Sequence, residues 1–385
     1  MAAPNFAKPR KPLSPAANLD GGVVLRPFEA LHELSYVTAP RYQDDVLDVY
    51  LQWGLMRYLG FFDVLNTGRP RPRLRLSDAG RRVTGNQRRV SSEEIGIAFG
   101  ACLARRWFGR SGPTREPIAI VDVDAALDDR YIFAGGVRHT VRKAGAERPD
   151  YILIGQDASD HGKYRIRTLE CKGTKTLGNA VRQLAKAVQQ LDGIDVGGTI
   201  PQGLATSVIS ADSEISYLAI DPAEPDEPSY QVSSDTIGRI RRFRMTEGTS
   251  VPTSLEFVNA AVSASWATLA DFGGNLGGLE RWAPDVMRNR LVRSSRERIA
   301  FDTPFGVARG ISITFGFAGQ QLTIRRMIDE VVDRHLGQGR AEDIMESQGA
   351  FAERLERSES VTALDEDQEL YSATTDGSVF SLSLR

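Results

Sequence analysis

Residues 149–172 constrain this chain more than any other stretch. Tyr151 to Ile154 is a short apolar run of strand formers, and Tyr164 to Cys171 sets Tyr164, Ile166 and Thr168 against Arg165 and Arg167 in strand alternation. Between them Asp157-Ala-Ser-Asp-His-Gly162 is turn chemistry, so the two runs read as an antiparallel hairpin. With its tip near Asp160, ladder geometry sets Asp150 opposite Glu170. Glu170 and Lys172 stand two apart and project from the same sheet face. Two facing carboxylates repel unless a cation sits between them. Oxygen ligands of this kind suit a hard ion such as Mg²⁺ or Mn²⁺, with the Cys171 carbonyl pointing into the ladder or towards the ion. A lysine beside such an ion orients or deprotonates an attacking water, or neutralises charge on a phosphate. This is equipment for metal-assisted phosphodiester hydrolysis. The plainer reading is a surface hairpin with an ordinary Glu and Lys on its solvated face.

Pro149-Asp150 followed by Glu170-Cys171-Lys172 resembles the signature of the PD-(D/E)xK nuclease superfamily, which includes many restriction endonucleases. The resemblance implies a core of helix, three-stranded meander, second helix and fourth strand. It also implies that Asp150 and Glu170 are metal ligands, that the metal is Mg²⁺ or Mn²⁺, and that Lys172 assists the nucleophilic water. Gly173 and then a helical pattern follow the motif, and residues 92–221 carry elements in the required order, about a third of the chain.

Composition bounds the rest. The 385 residues suggest two to three domains, and 41% hydrophobic residues is ordinary for a soluble protein. The net charge of −2 gives no whole-protein attraction to nucleic acid, so any such binding rests on local basic patches. Cys102 and Cys171 read as reduced core residues of a cytoplasmic protein, and the four histidines show no zinc spacing. No segment has the length and apolarity of a membrane span, and Met1 to Gly22 lacks the apolar stretch of a secretory signal. Residues 1–25 read as a disordered tail.

Residues 26–88 read as a small helical module. Gln43 to Leu59 carries helical periodicity, and the basic extended run Gly68 to Leu76 after it resembles the wing of winged-helix domains. Arg71, Arg73 and Arg75 are the candidate phosphate contacts there, against the alternative of a solvated strand beside a packing module. A helix over 91–110 starts with a capping box, Ser91 with Glu94. The nuclease resemblance makes Glu94 or Glu93 a candidate accessory acid, whereas the residues themselves read as cap and first-turn charge. Ile118 to Val123 is a strand ending in Asp122 and Asp124, which would approach a metal or begin a turn; Tyr131 to Val141 is a further strand pair. Asn179 to Leu191 is an amphipathic helix whose Gln183 and Lys186 the resemblance places along the site. Leu204 to Ile209 and Ile215 to Ile220 are strands, and the Pro-rich acidic run Asp221 to Pro228 opens a linker over 222–235.

Beyond it, 236–385 reads as an α+β domain without a catalytic motif. It holds basic clusters at 236–244 and 288–298, a strand over Ile311–Phe317, amphipathic helices over Leu322–Leu336 and Ala341–Arg357, and a hairpin over Glu369–Leu384 with an Asp376-Gly377 type I′ signal. The expected fold is therefore α/β: a restriction-endonuclease-like mixed sheet flanked by helices over 89–221, a winged-helix-like segment before it and an α+β region after it. The expected function is metal-dependent hydrolysis of DNA in restriction, repair or anti-phage defence, with a homo-oligomer or a defence-system protein as partner and no membrane. The alternatives are a DNA-binding protein with an inactive nuclease-like core, and an interaction protein with neither property.

Overall fold

The computed structural model describes residues 13–16, 19–38, 47, 49–52, 54, 58, 60–65, 73–109, 116–123, 131–134, 137–140, 142–143, 148–156, 162–195, 201–222, 230–232, 254–283, 297–317, 319–358, 362–364 and 369–385. Arg71, Asp124, most of 41–59 and nearly all of both basic clusters of the second half lie outside them.

The first half contributes β1 (Leu13–Pro15), α1 (Pro27–Val37), the β2–β3 hairpin (Phe62–Leu65, Arg73–Leu76), the short α2 (Asp78–Arg82) and the long α3 (Gly85–Phe108). Then come β4 (Ile118–Asp122), the β5–β6 hairpin (Tyr131–Ala134, Val137–Thr140), β7 (Arg142–Lys143), β8 (Tyr151–Gln156), β9 (Lys163–Thr174) and α4 (Leu177–Leu191). β10 (Ile194–Asp195), β11 (Gly203–Ser210), β12 (Ile215–Pro222) and β13 (Tyr230–Gln231) complete it. The main sheet is mixed, in the order β1-β12-β11-β9-β8-β4, with β13 also paired to β9. Among the described residues of this sheet only β9 and β11 run parallel, and α4 is their crossover. Helices cover both faces, which is why β8 and β11 are buried at every position and read as near-continuous apolar runs.

The second half adds α5 (Ser254–Phe272), α6 (Leu276–Trp282), β14 (Ile299–Thr303), β15 (Gly306–Phe317), β16 (Gln320–Asp329), α7 (Glu330–Gln338), α8 (Ala341–Arg357), β17 (Thr362–Leu364), β18 (Leu370–Ala373) and β19 (Ser378–Leu384). Its sheet is antiparallel, in the order β14-β15-β16-β19-β18-β17. Helix α5 touches β4 and β8 of the first sheet and β16 of the second. One apolar core therefore runs through both halves, from Ile120 and Leu153 to Ile324 and Met327.

Several sequence expectations change. Residues 13–15 of the expected tail form an edge strand on β12, and Ala16 and Leu19 behind it are buried. Ser91 does not cap a helix: α3 starts six residues earlier, after Thr84, and Ser91 lies buried in its body. The described residues of 26–88 share a core with α3, where Ala30, Leu34, Phe61 and Leu76 pack on Ile95 and Phe99. The expected linker begins inside β12 and contains β13, whose Tyr230 pairs with Tyr164. Leu322 to Leu336 is not one helix. Leu322, Ile324, Arg326 and Ile328 alternate with period two in β16, and the helix begins only after Asp329, whose carboxylate accepts the N–H groups of Val331 and Val332. The terminal hairpin turns through Thr374–Gly377, where the Gly377 N–H donates to the Thr374 carbonyl and Gly377 takes φ 104°. That is a four-residue turn with a left-handed glycine at its end, not the two-residue type I′ turn.

Candidate metal centre

The site starts from the register of β8 and β9. Tyr151 pairs with Leu169, so Asp150 stands opposite Glu170, as the hairpin arithmetic required. β8 begins at Tyr151 while β9 runs on to Thr174, so the β8-side edge of β9 is open beyond Leu169. The Asp150 side chain takes the place of the missing strand: its Oδ2 accepts the Cys171 N–H at 3.0 Å. The Asp150 N–H in turn donates to Glu170 Oε2 at 2.8 Å. Within a strand a residue's N–H and C=O point to the same side, so the Cys171 carbonyl also faces the Asp150 side. The Lys172 ammonium forms an ion pair with Glu170 Oε1.

Glycines fix which face these groups occupy. A Cβ on Gly96 would lie 2.6 Å from the Lys172 carbonyl oxygen, and one on Gly100 would lie 2.6 Å from Cys171 Sγ. Helix α3 thus crosses β9 at backbone distance, on the face of Cys171 and Gly173. On the opposite face a Cβ on Gly203, the β11 partner of Thr168, would meet Thr168 Oγ1 and the α4 residue Leu191. Thr168, Glu170 and Lys172 therefore share the α4 face. The Cys171 thiol points away from it and is no ligand there.

Burial and charge set the chemistry. Glu170 is fully buried, and burial together with the Asp150 charge pushes its carboxyl up to about 8. Burial likewise raises the Asp150 carboxyl, with Lys172 opposing and the Asp122 charge adding to the rise. Burial works against the Lys172 ammonium, but Glu170 and Asp150 outweigh it and hold the amine protonated above its usual range. Half-buried Asp150 and buried Glu170 share one lysine, and burial together with the Asp150 charge favours a proton on Glu170 where no cation is bound. Among the described residues no group of three or more His, Cys, Asp or Glu is arranged to hold a metal. The donor set is two carboxylates and a carbonyl, which fits a hard ion that keeps several waters.

The other candidates fall elsewhere. Glu94 accepts the Tyr58 hydroxyl, and Glu93 is exposed beside Arg89. Gln183 does border the site, donating from Nε2 to the Gly173 carbonyl at 3.4 Å. Arg73 and Arg75 lie on β3, paired with Glu214 and Asp63. A cavity of about 280 Å³ opens at the other end of β4, beside Ile118, lined by the Arg105–Glu33 and Arg106–Glu29 pairs. Sequence reading missed the Gly96/Gly100 pair; four residues apart on one helix face, it is the signal of a close crossing.

No helix among the described residues is long and apolar enough to cross a membrane. No protein-family model matches the chain, and no curated protein and no solved structure matches it.

Proposed function

We propose that this protein is a metal-dependent nuclease acting on DNA. The observation that carries the reading is the placement of Asp150, Glu170 and Lys172: a half-buried and a fully buried acid in register, with a protonated lysine beside them. Acids in a cleft whose pKa values are raised by burial and a neighbouring charge are candidates for a functional site. Asp150 and Glu170 would hold Mg²⁺ or Mn²⁺ with help from the Cys171 carbonyl. Bound there, the ion would supply positive charge that acidifies a coordinated water and neutralises a phosphate. Lys172 orients the water or the scissile phosphate through Nζ. The Cys171 N–H fixes the Asp150 carboxylate, and α3, seated on Gly96 and Gly100, fixes the strand that presents Glu170. Restriction, repair and defence are the roles that chemistry serves.

The test is DNA cleavage with Mg²⁺ or Mn²⁺, with an EDTA control, for the parent and for Asp150→Ala, Glu170→Ala and Lys172→Ala. Loss of EDTA-sensitive cleavage in all three is the expected result. Undiminished cleavage by Glu170→Ala would overturn the mechanism. A parent that binds DNA but neither cleaves it nor binds metal would assign the core a structural role in a DNA-binding protein.

A further inference from the structure

Four buried polar atoms on the α4 side of the main sheet have no hydrogen-bond partner: Thr168 Oγ1, Gln183 Oε1, Gln190 Oε1 and Ser207 Oγ. Folded proteins rarely leave such atoms unpaired, and each exception calls for a use. Two of them border Lys172. Ser207 is its direct neighbour on β11, fully buried and on the same face. Gln183 reaches from α4 to the carbonyl of Gly173, the residue after Lys172, which leaves its own oxygen bare. Thr168 lies beyond Glu170, against Gly203 and Leu191, away from the lysine.

The lysine has one partner here, Glu170 Oε1. A divalent ion on the two carboxylates would compete with the ammonium for that oxygen. An ammonium has three donors and no acceptor, so a second seat must be made of bare oxygens. Gln183 Oε1 and Ser207 Oγ are bare oxygens.

We propose that Gln183 and Ser207 are positioning residues that receive the Lys172 ammonium when a divalent cation takes Glu170. The inference rests on the metal reading above. With the cation bound, Lys172 donates two of its protons to Gln183 and Ser207 and aims the third at the water or phosphate. Without the second seat, the lysine stays on Glu170 and competes with the metal.

The test is calorimetric titration of Mn²⁺ into four proteins: the parent, Gln183→Leu/Ser207→Ala, Lys172→Ala, and the triple variant. Loss of hydrogen bonds to a charged group predicts an Mn²⁺ affinity about tenfold weaker in Gln183→Leu/Ser207→Ala than in the parent. No difference is expected between Lys172→Ala and the triple variant, because the lysine that needs the seat is gone. Equal losses in both backgrounds would assign the two residues a general packing role and overturn the proposal. So would an unchanged affinity in the first pair. A parent that takes up no Mn²⁺ would sink the metal reading and this inference together, and its own flat isotherm separates that failure from the others. Should Ser207→Ala lower the folded yield, Gln183→Leu alone supports the same comparison. In single-turnover cleavage the expected loss is in rate, with the KM for DNA unchanged.

Discussion

Buried acids occur in both halves of the molecule, and they are handled differently. In the second half Asp329 and Asp333 have partners of their own. Asp329 accepts two N–H groups at the start of α7 and pairs with Arg354, and Asp333 pairs with Arg298 while accepting from Asn275. In the first half Asp150 and Glu170 face each other with a single lysine between them. Burial raises the carboxyl of Asp329 as it does that of Glu170, but for Asp329 every neighbouring group opposes the rise, whereas for Glu170 the Asp150 charge adds to it. A satisfied acid stabilises an element; a repelled acid takes up a proton or a cation from outside. The comparison separates carboxylates whose charge is matched by partners within the fold from a pair whose members repel.

The largest effect that would break the comparison is catalytic. Asp150→Ala and Glu170→Ala should each reduce metal-dependent cleavage at least about 100-fold, since one remaining acid holds a hard cation poorly. Asp329→Ala should leave cleavage intact, and a gel-based assay reads both. Fold stability should show the opposite pattern. Asp329→Ala removes a helix cap and an arginine partner and should cost about 2 kcal/mol in denaturant unfolding. Asp150→Asn, measured without metal, should be neutral or stabilising because it removes a repulsion. A destabilised Asp150→Asn would place that acid with the structural set.

pH sharpens the contrast further. The folded-state pKa of Glu170 lies above its ordinary 4.5, at about 8. The folded protein therefore holds this proton where the unfolded chain releases it, and metal-free stability should fall as pH rises from about 4.5 towards about 8. Glu170→Gln should flatten that decline, as read by urea midpoints across the range. A slope unchanged by Glu170→Gln would show that other groups set it. His32 works in the other direction. It is buried between Phe272 and Phe380, and burial, with Arg105 and Arg326, holds its pKa well below 6.5, so stability should also fall as the pH drops below about 6.5.

The smallest expected effect is at the surface. Arg73 and Arg75 are already engaged by Glu214 and Asp63, so Arg73→Ala/Arg75→Ala should weaken DNA binding modestly and lower its salt slope by no more than about 2. An anisotropy titration showing a larger change would make β3 a main DNA contact.

What the sequence determined by itself was local. The alternation around a polar loop set the β8–β9 register, and with it Asp150 against Glu170, because side-chain period and turn length leave a hairpin little freedom. The apolar stripes of α4 and α8 were legible for the same reason. Where a pattern was mixed, local reading failed: Leu322 to Leu336 carries a strand and a helix in tandem, and only pairing with β15 and β19 decides where one ends. The start of α3 was hidden because Ser91 and Glu94 have the residue types of a capping box, and tertiary packing overrode that signal. Long-range placement was decided by the fold alone. The resemblance alone had set Gln183 along the site, and nothing in the sequence tied Ser207 to Lys172; the parallel β9–β11 ladder and the crossover α4 bring the two beside it. Nor does local pattern show that α5 joins the two sheets into one core, since contacts between distant segments depend on how whole faces stack. A hairpin encodes its own geometry, whereas the company it keeps is fixed only when every apolar face in the chain has found its partner.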